Sequence, residues 1–310
     1  MNMENTTAYV PVREDFVLRP EGSDNSILKE GVASIRTSKL KLFLHNRAGM
    51  AGLIILVSLV LLSLFVPILA PHKFDAQDLL NVNQDPDMNF WFGTDDLGRD
   101  LFTRCFMGLR VSLIIAFAAA VIDLVIGMNY GIISGYFGGK TDLVMQRIVD
   151  IAGSVPSLVI VTLLMLVLKP GIWTIVLALM LTGWMEMSLI ARSHVLKIKN
   201  LDYVQATRTL GASHMHIILR AVIPNTIGHL FPQLMLTVPS AIFFETFLSF
   251  VGLGMPLGTC SLGTLLSNGF DNVLIHPYKL LPPAVSMVLL MVSCHLIARG
   301  LEKVITGSDR

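Results

Sequence analysis

The chain has 310 residues, 53% of them hydrophobic and 15% charged, against about 25% charged in an average soluble domain. This excludes a water-soluble globular protein and points to helices that cross a bilayer. The net charge of +1 carries no information about partners and no nucleic-acid partner is expected; in a membrane chain the informative quantity is how lysine and arginine divide among the loops.

The first 47 residues are polar and lack the short apolar core of a cleavable signal, so the N-terminus is expected to be retained. Residues 1 to about 25 read as disordered. Within 27–46, Leu40, Phe43 and Leu44 are interleaved with Lys39, Lys41 and Arg47, a pattern that suits either an amphipathic segment on an anionic leaflet or a solvated basic tail. Ala48 to Ala70 is free of charge over 23 residues, about 34 Å of helix and enough for one crossing. Five further spans are expected at Val111–Ile133, Ile148–Leu168, Ile172–Ala191, Ile227–Val251 and Leu280–Ala298, with Lys169-Pro170-Gly171 as a tight turn between the third and fourth. The expected organisation is a cytoplasmic tail (1–38), a first span with its outer loop (39–110), and a core of five spans (111–310).

Six spans place both termini on one side. Of the lysines and arginines, 17 fall on that side and 6 on the other, so the positive-inside rule puts the termini in the cytoplasm. An all-α integral membrane protein of the plasma membrane is the fold class. Gly127, Gly131, Gly135 and Gly139 repeat every fourth residue, a smooth stripe for close helix packing, either internal or against a partner. Pro156, Pro232 and Pro239 lie inside spans, where freed carbonyls need other partners.

Several signals do not carry chemistry. Residues 134–141 nearly spell a phosphate-binding loop, but Ser134 replaces its first glycine and a membrane helix precedes it. Leu257 likewise breaks a dinucleotide fingerprint that would begin at Gly252. No nucleotide or other cofactor is expected on this chain. His214 and His216 face different sides of a helix, without a third ligand at metal-binding spacing. Cys105, Cys260 and Cys294 are too few for a disulfide framework; an outer-face Cys105–Cys260 bridge is the minor alternative to free thiols. The sixteen methionines read as core filling. Asp123, Asp150, Glu186 and Glu245 fall in or beside spans. Proton relay is one reading of them. The favoured one is that each is paired or faces a watery interior, as with Arg147 and Asp150 at i,i+3.

Two polar stretches interrupt the apolar pattern. Gly93-Thr94-Asp95-Asp96-Leu97-Gly98-Arg99-Asp100, followed by Arg104, Gly108 and Arg110, reads as a turn at 96–98 and a short interfacial helix whose arginines meet headgroups. Asp202 to Asn225 is a charged island of 24 residues. Asn200 or Asp202 can cap a helix in which Tyr203, Ala206, Thr207 and Leu210 recur at helical spacing, and Gly211 supplies a left-handed stop. Ser213 can start a second short helix, which Pro224 is expected to end.

The run Gln205-Ala206-Thr207, then Gly211, then Pro224-Asn225 resembles the "EAA" loop of permease subunits of ATP-binding-cassette importers, with Gln205 and Thr207 departing from the usual Glu and Ala. The Gly93–Asp100 cluster is similar to the stretch before the second span in C-type permeases of oligopeptide, dipeptide and nickel importers. Supporting matches are His45-Asn46-Arg47-Ala48, residues 135–139, and the run from Glu245 to Gly254. The resemblance implies a subunit with no catalysis of its own, importing short peptides with a homologous permease chain, two ATPase subunits that bind ATP and magnesium, and an external solute-binding protein. It implies that Tyr203 to Asn225 dock on the ATPase and that the Gly93–Arg104 face meets the binding protein. Nickel or another small solute is the alternative cargo, and a proton-coupled secondary transporter using Asp123, Glu186 and Glu245 is the rival class. A membrane enzyme lacks any catalytic constellation.

Overall fold

A computed structural model describes residues 41–168, 171–255 and 259–306. Contacts divide the chain after Leu42, and the body described below begins at Phe43. The expectations for residues 1–40, for Lys169-Pro170 and for Leu257 lie outside the described residues.

Among the described residues the regular elements are all helices, and the one β pairing is an isolated bridge between Thr94 and Asp100. Helix α1 (Arg47–Leu69) starts where the Asn46 side chain accepts hydrogen bonds from the Ala48 and Gly49 amides, both at 3.1 Å. Helix α2 (Leu101–Phe137) runs 37 residues and begins on Asp100, which accepts from the Phe102 and Thr103 amides. There is thus no separate interfacial helix before the second span. The residues expected to form one are the first turns of α2, where Leu101, Cys105, Phe106 and Leu109 are buried and draw the helix onto the core.

The expected third span is broken. Helices α3 (Gly139–Gly153) and α4 (Ser157–Val167) meet at 72°, because Pro156 provides no amide to continue the ladder of α3. Helix α5 (Ile172–Ile198) is followed by the short α6 (Asp202–Thr209) and by α7 (His214–Ile217). Pro224 does not end the second arm. A π turn over Ile218–Val222 widens the ladder, with the Ile223 amide donating to Ile218 O, and α8 (Ile223–Phe250) continues directly through the proline. Helices α9 (Leu262–Asp271) and α10 (Leu281–Thr306) complete the chain. Five continuous helical segments among these are long and apolar enough to cross a membrane, and the bent α3–α4 pair can serve as a sixth span.

One large apolar cluster joins α1, α2, α4, α5, α8, α9 and α10 around Leu109, Ile115, Ile175, Val238, Ile242 and Leu290. Helix α1 lies on α10 so closely that a Cβ at Gly52 would meet Leu296 Cβ at 2.7 Å. Small residues at such contacts suit helix association in lipid, where packing rather than water exclusion does the joining. Cys105, Cys260 and Cys294 are free and buried, so Cys105–Cys260 is not a bridge; Cys105 Sγ instead lies 3.4 Å from Ser286 Oγ.

Candidate functional site

The Gly93–Arg104 cluster closes one end of the bundle as a hydrogen-bonded knot. Asp95 accepts from the Leu97 and Arg99 amides and from Arg99 Nε at 2.7 Å, with Arg104 Nε at 3.4 Å from the same carboxylate. Arg104 is 2% exposed and also donates to Phe74 O. The expectation that these arginines meet headgroups fails for Arg104, because burial and Asp95 hold it inside. Thr94 donates to Asn81 O and accepts from the Gln84 amide, while Lys279 ties Asp96 to the knot at 2.7 Å. Gly98 has φ +70°, and a Cβ there would stand 1.8 Å from Asp78 O, so only glycine fits. Nearby, burial pushes the Cys260 thiol above its ordinary pKa.

At the opposite end of α2, α6 rests on the bundle through one buried residue, Val204, which packs with Ile132, Val195, Ile198, Ile217 and Val222. Neither proposed side chain caps this helix. Leu201 is at the N-cap, Asn200 donates instead to Leu196 O, and Asp202 lies inside the first turn, where a carboxylate favours the helix N-terminus. Gly211 has φ +83°, and the pair Gly211 N to Arg208 O and Ala212 N to Thr207 O closes the helix in a Schellman turn. Ser213 caps the next turn by accepting from the His216 amide. Asn225 donates to Tyr203 Oη at 3.0 Å, Gln205 donates to Lys199 O, and Thr207 donates to Tyr203 O. Leu210, 87% exposed, together with Met215, Leu219 and Tyr203, leaves an apolar surface around Gly211. Ala206 is exposed as well, and no heavy atom beyond Gly211's own neighbours lies within 4 Å of where its Cβ would be. Val204 escaped the sequence reading because a two-turn helix fits more than one apolar face; its burial is fixed by contacts with α2, α5 and α7.

Between these ends, Gly127, Gly131 and Gly135 face α5 within the chain. Their Cβ atoms would meet Met187 Cβ at 2.6 Å, Ser188 O at 2.3 Å and Val195 Cβ at 3.0 Å. Gly139 does not belong to this stripe, since α2 ends at Phe137 and Gly139 begins α3. Arg192 of α5 grips Asp142 of α3 with two hydrogen bonds of 2.6 Å. Glu245 is buried and accepts from Ser112 Oγ at 2.8 Å, and that hydroxyl in turn accepts from the Leu262 amide at the start of α9. Arg147 and Asp150 form an exposed pair at 3.7 Å. Asp123 is 2% exposed and, among the described residues, its Oδ1 has no hydrogen-bond partner; the second oxygen of Glu245, Oε1, likewise has none, while Glu186 accepts from Gln233 at 3.0 Å. No group of three or more residues able to hold a metal occurs among the described residues.

Comparison with known proteins joins these features. Residues 127–307 match the model of the binding-protein-dependent transport system inner membrane component, and residues 40–86 match the N-terminal transmembrane domain of oligopeptide transport permease C. The chain is 42% identical to the oligopeptide transport system permease protein OppC of Bacillus subtilis, over 91% of this chain and 92% of that protein. It is 43% identical to the dipeptide transport system permease protein DppC of the same organism, over 83% and 81%. To OppC of Escherichia coli it is 38% identical, over 86% and 89%. A chain of the inward-facing MetNI methionine ABC transporter shares the fold with a TM-score of 0.53 at 18% identity, covering 67% of this chain and 97% of that one. The chain is a multi-pass membrane protein, and it belongs to the family of binding-protein-dependent transport system inner membrane components, the permease subunits of ABC importers.

Proposed function

We propose that this chain is the C-type permease subunit of an ATP-driven importer of short peptides. The observation that carries the cargo class is the near full-length likeness to OppC and DppC permeases at 42% and 43% identity. In this reading a homologous permease chain completes the pathway, two ATPase subunits bind ATP and magnesium, and an external binding protein delivers the peptide. Both termini and α6 lie in the cytoplasm in this reading, the side that the excess of lysine and arginine favours. The apolar surface around Leu210 and Gly211 is the part of the chain that an ATPase groove would grip, and Val204 joins that grip to α2, α5 and α7. Motion of α6 then reaches the spans through packed side chains rather than through a free loop.

The test is growth of cells lacking this chain on an essential amino acid supplied only as a short peptide, with the free amino acid as control. Loss of growth on the peptide alone supports peptide import. Unchanged peptide uptake with loss of nickel uptake would replace it by metal import.

A further inference from the structure

A cavity of about 400 Å³ lies where α2, α4, α5, α8 and α10 converge, within the roughly 300–1,000 Å³ of ordinary ligand pockets. Asp123 and Glu186 line it together with Gln233, Thr237, Ser240 and His295, and no lysine or arginine does. Asp123 lies near the middle of the apolar stretch of α2. Helix α5 makes room for its carboxylate by having Gly183 opposite, where a Cβ would fall 1.9 Å from Asp123 Oδ2. Glu186 is oriented by Gln233 at 3.0 Å, whereas Asp123 Oδ1 has no donor among the described residues. A buried carboxylate oxygen left without a donor is costly, and more so inside a membrane. Its missing partner is therefore to be sought in what enters the cavity. An ammonium group meets the need, since it brings positive charge and three N–H donors and asks for no acceptor beyond the carboxylates and hydroxyls already there.

We propose that Asp123 and Glu186 form a cation-recognising site on the translocation pathway that takes the α-ammonium of the peptide in transit. This rests on the reading of the chain as a peptide permease. The α-ammonium is the one cationic group that free peptides share whatever their side chains, so a site for it admits varied sequences. The apolar part of the wall, Leu179, Leu236 and Phe244, carries no charge to select among them.

The experiment uses the assembled transporter with its ATPase subunits and binding protein in proteoliposomes. It compares uptake of a free tripeptide with uptake of the same peptide acetylated at its N-terminus, at concentrations where both are measurable. Selection by the binding protein is common to all variants and cancels when preference ratios are compared. Asp123→Asn should reduce the preference for the free peptide by about tenfold, the size of one lost charged hydrogen bond. Glu186→Gln should reduce it in the same direction and decides the matter if Asp123→Asn fails to assemble. ATPase activity stimulated by the binding protein reports assembly in each case. Equal slowing of both peptides, as a structural role or a bare proton site would give, overturns the proposal, and so does an unchanged ratio. Uptake of neither peptide by the wild type would instead refute the peptide reading itself.

Discussion

Gly131→Ala tests the seam that holds the bundle together. The added methyl would stand 2.3 Å from Ser188 O, 2.7 Å from Ala191 Cβ and 2.8 Å from Arg192 N. Ordinary contact begins at 3.4 Å, and two of these three neighbours are backbone atoms that no rotamer change can withdraw. Helix α5 must therefore retreat by about 1 Å, which also loosens the contacts of Gly127 with Met187 and of Gly135 with Val195. Overpacking of this kind costs about 1–3 kcal/mol, even after the gain of under about 1 kcal/mol that alanine brings over glycine in a helix. Water exclusion drives helix association little in lipid, so relaxing the seam forfeits packing without recovering it elsewhere. The matched control is Gly228→Ala in α8, where, beyond the helix's own nearby backbone, no heavy atom of the described residues lies within 4 Å of the new Cβ and φ is not positive. Thermal unfolding of the purified chain in detergent should show Gly131→Ala melting several degrees below wild type and Gly228→Ala at or above it. Equal melting of Gly131→Ala and wild type would refute the claim that the stripe is an internal seam.

Gly211→Val should leave membrane insertion near normal while abolishing ATPase recruitment, because φ +83° costs a β-branched residue on the order of 1 kcal/mol or more and the side chain would project into the docking surface; pull-down of the ATPase subunits and peptide uptake check it. Asp95→Asn should lower the melting temperature more than Asp150→Asn, since Asp95 holds Arg99 and the buried Arg104 whereas Asp150 pairs only with the exposed Arg147. The three native cysteines should resist maleimide in the folded chain because all three are buried, and at Cys260 burial also raises the thiol pKa; rapid labelling before unfolding would contradict their burial. Against that silent background, a cysteine at Leu80 should label from outside intact cells and one at Ser213 only after permeabilisation.

Apolar length made the spans legible, because about twenty uncharged residues have few destinations other than a bilayer. Local backbone rules made Gly211 and Ser213 legible, since a left-handed glycine and a hydroxyl N-cap depend on the nearest few residues. What escaped were choices decided by tertiary contact. Pro224 reads as a helix stop when only its own ring is weighed, yet one π turn at Ile218–Val222 absorbs the missing donor and the packed Ile217 and Val222 keep the axis running. Arg104 reads as an interfacial arginine until Asp95 and Phe74 O are brought to it from the preceding loop.

The intramembrane carboxylates show the same division more sharply. Residue type and position mark Asp123, Glu186 and Glu245 equally, as ionisable groups inside apolar runs. Their partners separate them. One oxygen of Glu245 is answered by Ser112, whose hydroxyl is itself held by the first amide of α9, so three elements are pinned at one buried point, while Oε1 has no partner among the described residues. Asp123 is placed differently: Gly183 clears space for it, Glu186 shares its cavity, and no donor among the described residues reaches Oδ1. Hydrogen bonds 133 and 150 residues apart in sequence tie Glu245 into the fold, whereas Asp123 opens on a cavity that Glu245 does not line. Neither has a local signature, so the sequence reading grouped as alike the carboxylate that holds the fold and the carboxylate that waits for a cation.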